Sequence, residues 1–300
     1  MKATFRLLLG SILGLALAAS ALPQDKAPSG SVTPRLLVIQ REFVKPGKSG
    51  TAHEKTESAF VQAMARAKWP THYIAFQSLS GKPRALFFTI YDSYEAWEKD
   101  TQAQEKNAVL SAALDRANET DGTLLDSSDE GVFTYNADFS LRTKTDISDM
   151  RYLEIWAVRV KPGHDREWAE LNKLVLPAFE KAVPTAHWGA YEAAYGVPNG
   201  TYLFLTARKT AAELDRGPME DKAFQAEMGE EGMKKVDELF AACVESSESQ
   251  LFAVSPTMSY PPDEFVKADA AFWAPKQATM SAERKAQPKV ASVSAEKKTP

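Results

Sequence analysis

Leu36-Leu-Val-Ile-Gln-Arg-Glu-Phe-Val-Lys-Pro-Gly-Lys48 and Tyr152-Leu-Glu-Ile-Trp-Ala-Val-Arg-Val-Lys-Pro-Gly-His164 align without a gap at an offset of 116. Each is a β-rich run that ends in the same Val-Lys-Pro-Gly turn, and self-similarity at a fixed spacing governs how the rest of the chain is read. Further on, Pro70-Thr-His-Tyr-Ile-Ala-Phe76 matches Pro184-Thr-Ala-His-Trp-Gly-Ala-Tyr191 with one inserted residue, and Leu86-Phe-Phe88 matches Tyr202-Leu-Phe204. The last match sets Phe133–Leu141 on Phe252–Tyr260. Four matches in one order, at offsets drifting only from 114 to 119, indicate a tandem repeat.

Each copy reads alike. A strand (Leu36–Phe43; Tyr152–Val160) leads through the Pro-Gly turn into an amphipathic helix, which in the second copy places Trp168, Leu171, Val175, Ala178 and Ala182 on one face. Two strands follow (His72–Leu79 and Ala85–Tyr91; His187–Tyr195 and Thr201–Arg208), joined by Ser80-Gly-Lys-Pro83 and Gly196-Val-Pro-Asn-Gly200. A second helix opens on a capping signal, Asp92-x-x-Glu95 or Thr210-x-x-Glu213, and a final strand closes the copy. The order β-α-β-β-α-β, read twice, predicts two tandem ferredoxin-like repeats of α+β class. Residues 34–141 form repeat 1, 142–150 a linker and 151–260 repeat 2. Residues 261–300 are a C-terminal extension, disordered from about 276 because the stretch is Ala-, Lys- and Ser-rich and lacks aromatics to bury.

On this element order, the duplication, the Val-Lys-Pro-Gly turn and the strand-to-helix junction Tyr91-Asp-Ser-Tyr-Glu-Ala-Trp97, the chain resembles the dimeric α+β barrel superfamily over about Pro34–Tyr260. That group includes antibiotic-biosynthesis-monooxygenase-like domains, haem-degrading monooxygenases, chlorite-dismutase-like proteins and stress-responsive barrel proteins. The resemblance implies two sheets packed face to face around a cavity. Here the second copy supplies the partner sheet, so the chain is expected as a monomeric pseudo-dimer or a homodimer. It also implies haem as one conceivable cofactor, although no motif in the sequence is specific for an activity.

Residues 1–21 have the three parts of a signal peptide: Lys2 and Arg6, the apolar run Leu7–Ala18, and the small-residue site Ala19-Ser-Ala21. The run is too short to span a membrane. With a leader at 22–33, the mature chain is expected to be soluble and periplasmic or secreted, without a transmembrane segment. Formal charge is −4. Setting aside the signal's two cations and the tail's net four leaves the body Leu22–Pro275 at −10, which argues against a nucleic-acid-binding domain. The lone Cys243, on helical apolar spacing, reads as a small buried hydrophobe and excludes an internal disulfide.

Candidate chemistry is sparse. His72 and His187 hold matching positions at the start of the second strand, followed by Tyr73 and Trp188, and histidine can ligate iron or carry protons near neutral pH. Alternation along Tyr152–Val160 places Leu153, Ile155 and Ala157 against the helices and Tyr152, Glu154, Trp156 and Val158 towards the barrel interior. The matching interior face of the first strand is then Leu36, Val38, Gln40 and Glu42. A carboxylate beside Trp156 in an interior needs a partner or a ligand. Glu154 therefore joins His72 and His187 as a candidate catalytic residue, while Gln40, Trp156, Tyr73, Trp188 and Arg208 are candidate ligand-binding residues, with Glu192 behind them. The competing reading pairs Glu154 with Arg151 or Arg208 at the rim. His53 and Glu57 share one helical face at a spacing that can hold a metal, but the pair reads better as a solvated first turn; no metal set is assigned. His164 follows Pro162-Gly163 in a turn. No phosphate loop, nucleophile elbow or calcium loop occurs. The expectation is an exported protein binding a small apolar or aromatic ligand, or a protein partner, in the cell envelope. The alternative is a monooxygenase-like or haem-linked oxidoreductase using the barrel cavity.

Overall fold

The computed structural model describes residues 35–144 and 147–274, so the expected signal peptide and leader and the tail beyond Ala274 lie outside the described residues. Eight strands form one closed antiparallel barrel: β1 (Leu36–Val44), β2 (Tyr73–Ser78), β3 (Arg84–Tyr91), β4 (Leu125–Leu141), β5 (Tyr152–Val160), β6 (Trp188–Tyr195), β7 (Thr201–Arg208) and β8 (Val244–Val254). Around the barrel they run β1-β3-β2-β8-β5-β7-β6-β4. Each half contributes four strands in the ferredoxin-like order, and the halves are joined where β4 pairs with β6 and β8 with β2. The ladder closes within one chain, leaving no open edge.

Helices cover the outside. In the first half α1 (Thr51–Ala67), α2 (Tyr94–Lys106) and α3 (Ala108–Asp121) lie over the sheet; in the second half α4 (Asp165–Ala182) and α5 (Gly217–Cys243) do so. The expected second helix of the first half is divided at Asn107, whose side chain caps α3 by accepting from Leu110 N. Its start is capped by Ser93, which accepts from Ala96 N, rather than by Asp92. The shared Pro-Gly turn holds Gly47 at φ +77° and Gly163 at φ +84°, a left-handed conformation that explains glycine at both places. Lys45 N then donates to Leu124 O, and Lys161 N to Cys243 O, so each turn is tied to the entry of its half's last strand.

The two faces of the sheet are the reverse of the sequence expectation. Leu37, Ile39, Phe76, Leu86, Phe88, Phe133, Leu153, Ile155, Tyr191, Leu203, Phe252 and Val254 form one buried cluster filling the barrel. Two short helices, α6 (Asp263–Ala268) and α7 (Ala270–Trp273), add Phe265 and Trp273 to it. Leu153 and Ile155 thus point inward, whereas Trp156 and Val158 pack under α4 and α5 with Trp168, Leu171, Phe204 and Cys243. The reason is physical. The interior must be dry from both sides, so it takes the more uniformly apolar alternation, while the helix-covered face tolerates polar groups where the helices leave gaps.

Candidate functional site

One such gap lies in the first half. Even-numbered residues of β1 face the helices, and there the strand turns from Leu36 and Val38 to Gln40 and Glu42. The first two turns of α1 bring His53 and Glu57 down over Glu42, and the last residue of α3, Asp121, closes the group. All four side chains belong to residues only 2–3% exposed. His53 Nε2 lies 3.0 Å from Glu42 Oε2, 3.6 Å from Asp121 Oδ1 and 3.9 Å from Glu57 Oε1. Gln40 Nε2 donates to the other oxygen of Glu42 at 2.6 Å, and Thr56 Oγ1 donates to Asp121 Oδ1 at 2.5 Å. Glu57 Oε1 is buried with no hydrogen-bond partner among the described residues. Burial, followed by the charges of Glu42 and Asp121, pushes the Glu57 carboxyl far above the usual carboxylate range. Three carboxyl groups around one imidazole, out of water, can exchange protons among themselves or hold a cation.

A cavity of about 320 Å³ opens beside this cluster, between β1–β3 and α1–α3. Glu42 and Glu57 form part of its wall, with Asp100 and Glu130 elsewhere; its apolar lining includes Phe60, Met64, Tyr73, Phe87, Tyr91 and Trp97, and among the described residues no Lys, Arg or His borders it. Asp100 is held in place as an acceptor from Trp69 Nε1, Thr71 Oγ1 and Tyr91 OH, at 2.9, 2.6 and 2.9 Å. The Tyr73 hydroxyl is buried without a partner among the described residues; burial, then the charges of Glu57 and Glu42, raises its pKa strongly. A smaller cavity of about 240 Å³, bordered by His53, Gln77 and Arg84, lies on the other side of the cluster.

Of the residues named from sequence, the structure brings Gln40 and Tyr73 to the larger cavity. It places the others apart. Glu154 is on the helix side of β5 and accepts from Arg208 Nε at 2.6 Å, the rim pairing. Trp156 packs on Phe204 and Phe240. Trp188 Nε1 donates to Phe139 O, and burial, followed by the charge of Glu192, raises the pKa of the Tyr202 hydroxyl. The His72 ring stacks on Tyr260 with centroids 4.7 Å apart. His187 has each ring nitrogen 2.9 Å from a backbone carbonyl, those of Thr185 and Ala207. Neither histidine borders either cavity. His164 faces Glu167 in the first turn of α4.

The reading of His53 and Glu57 as a solvated turn is corrected: both are buried, because the end of β1 and the end of α3 meet the first turns of α1. Sequence reasoning assigned no metal set, yet these two join Glu42 and Asp121 in the single grouping among the described residues whose donor atoms could share an ion. Glu42 was visible as the polar continuation of a strand face. Asp121 had no signal, since only the tertiary fold carries the end of α3 to α1.

No protein-family model and no curated protein matches the chain. Among solved structures it is similar to a "putative monooxygenase" from Lactobacillus acidophilus NCFM (10% identity, TM-score 0.45, 74% of this chain and 94% of that one). A second protein so described, from Fusobacterium nucleatum subsp. nucleatum ATCC 25586, has 14% identity and a TM-score of 0.47, over 74% and 92% of the two chains. A mutant chlorite dismutase from Candidatus Nitrospira defluvii has 10% identity and a TM-score of 0.46, over 79% and 96%. At these identities the likeness concerns the fold alone.

Proposed function

We propose that this protein is exported and binds a small, flat organic molecule that carries hydrogen-bond donors or positive charge, in the cavity between β1–β3 and α1–α3. One observation carries the reading: the cavity combines an aromatic wall with four carboxyl residues and, among the described residues, has no basic side chain along it. Aromatic faces attract apolar rings and cations alike. A wall with carboxyl groups and no cation among its described residues disfavours an anionic ligand and rewards a donor. About 320 Å³ is at the small end of ligand sites, which limits the ligand to roughly one or two rings.

Native mass spectrometry on the protein purified from its own host tests export and occupancy together. The expected result is a polypeptide starting at Leu22 with excess mass from an organic molecule. In chelator-treated buffer, calorimetric titration should then show phenethylamine bound more tightly than the corresponding alcohol, and phenylacetate least. Trp97→Ala should weaken the amine about five- to thirtyfold if ring stacking contributes its ordinary one or two kcal/mol. A bare chain that prefers phenylacetate, or ignores all three, would end this reading.

A further inference from the structure

We infer that Glu42, His53, Glu57 and Asp121 form a binding site for one divalent first-row transition-metal ion. The second half of the molecule supplies the comparison. In β1, Glu42 pairs with Ser128 of β4, one residue ahead of a register shift; in β5, Val158 pairs with Ser247 of β8, one residue ahead of the same shift. Around Val158 the second half packs Trp168 and Leu171 from α4 and Phe240 and Cys243 from α5, as one apolar cluster. The same junction of first strand, first helix and last helix thus closes there on aromatic, aliphatic and thiol side chains. Nothing in the architecture requires three carboxyl groups and an imidazole at its counterpart. Burying them without a counter-charge is costly, whereas a dication in their midst removes the conflict.

The geometry fits an ion. One donor atom from each of the four side chains lies within 4.8 Å of all the others. A point central to four such atoms is at most about 2.9 Å from each, so inward shifts of under about 1 Å reach the 2.0–2.2 Å of metal–oxygen and metal–nitrogen bonds. The observed separations of 3.0, 3.6 and 3.9 Å from His53 Nε2 compare with about 3.0–3.4 Å between neighbouring ligands around such an ion. Glu57 Oε1, buried and unpartnered, is an acceptor with nothing to accept from among the described residues. Gln40 and Thr56 hold Glu42 and Asp121 in place, as groups behind metal ligands do. One imidazole with three hard oxygens suits Mn²⁺, Fe²⁺ or Zn²⁺ better than Mg²⁺ or Ca²⁺. The ion has routes to the site, since Glu42 and Glu57 border one cavity and His53 the other.

The test is titration of the untagged, chelator-stripped mature protein with Co²⁺ and with Zn²⁺, beside Glu57→Gln and Glu42→Val. Glu57→Gln keeps the shape and removes the ionisable carboxyl; Glu42→Val installs the residue found at the matching place in β5. The expected result for the unaltered protein is one ion per chain, visible Co²⁺ absorption bands and a rise in Tm. Both variants should lose affinity at least about tenfold. Each should remain folded in metal-free buffer by circular dichroism. Failure of the folded, unaltered protein to bind either metal at one per chain overturns the inference, as does undiminished affinity in both variants, which would place the ion elsewhere. Should one variant not fold, the other and the unaltered protein still decide. The outcome is independent of whether phenethylamine binds.

Discussion

Residue by residue, the polar groups of this protein divide by what surrounds them. Glu154 and Arg208 form a close pair, but the carboxylate side chain is 38% exposed, so water competes for it. Glu154→Ala should lower stability by no more than about 1 kcal/mol and leave the cavity of the first half unaffected. Urea unfolding and amine titration check both; a loss above about 2 kcal/mol would mean that the pair matters to the fold. Glu42, His53, Glu57 and Asp121 are the opposite case, enclosed and in contact. Charge type and helical spacing were legible for His53 and Glu57, and strand alternation for Glu42. Their burial was not, because a short polar stretch after a Pro-Gly turn has the composition of a surface loop whether or not another helix end covers it.

At the level of elements, the strands were found where hydrophobic alternation marks them and missed where it does not. Leu125–Glu130 and Val244–Gln250 are mostly exposed and polar, yet they extend β4 and β8 well before the expected starts near Phe133 and Phe252. Pairing with β1 and β5 makes them strands, and a pairing partner leaves no periodic mark on the sequence. The hairpin between β6 and β7 shows how tightly closure is built. Gly196 has φ +77°, and a Cβ placed on it would meet the Glu130 carbonyl oxygen at 2.0 Å, next to the register shift where β4 pairs with β6. Gly196→Ala combines a disfavoured backbone conformation with a clash against main chain. It should cost at least about 3 kcal/mol in urea unfolding followed by tryptophan fluorescence. A change within about 1 kcal/mol would show that the β4–β6 seam yields easily.

Over the whole molecule, the filled barrel changes where function is sought. Its interior is occupied by side chains of both halves, and Trp273 joins them, 1% exposed, with Nε1 donating to Ser148 O at 2.6 Å. Trp273→Ala removes a buried indole from the shared core and should cost about 3–5 kcal/mol. That corresponds to a Tm lower by on the order of 10 °C for a body of this size, read by calorimetry on the mature chain. A shift under about 2 °C would mean that α7 only covers the barrel. The sequence by itself determined the order of elements, their two-fold recurrence, the acidic body and the turns that need glycine. Each of these rests on local chemistry: alternation, helical spacing, backbone freedom and charge. Only the tertiary structure decided which face of the sheet points inward, that the cavity lies beneath the helices of the first half, and that Asp121 meets His53. A strand's alternation distinguishes two faces without naming them, and contacts between residues 65 or more positions apart arise from how helices settle on a closed barrel.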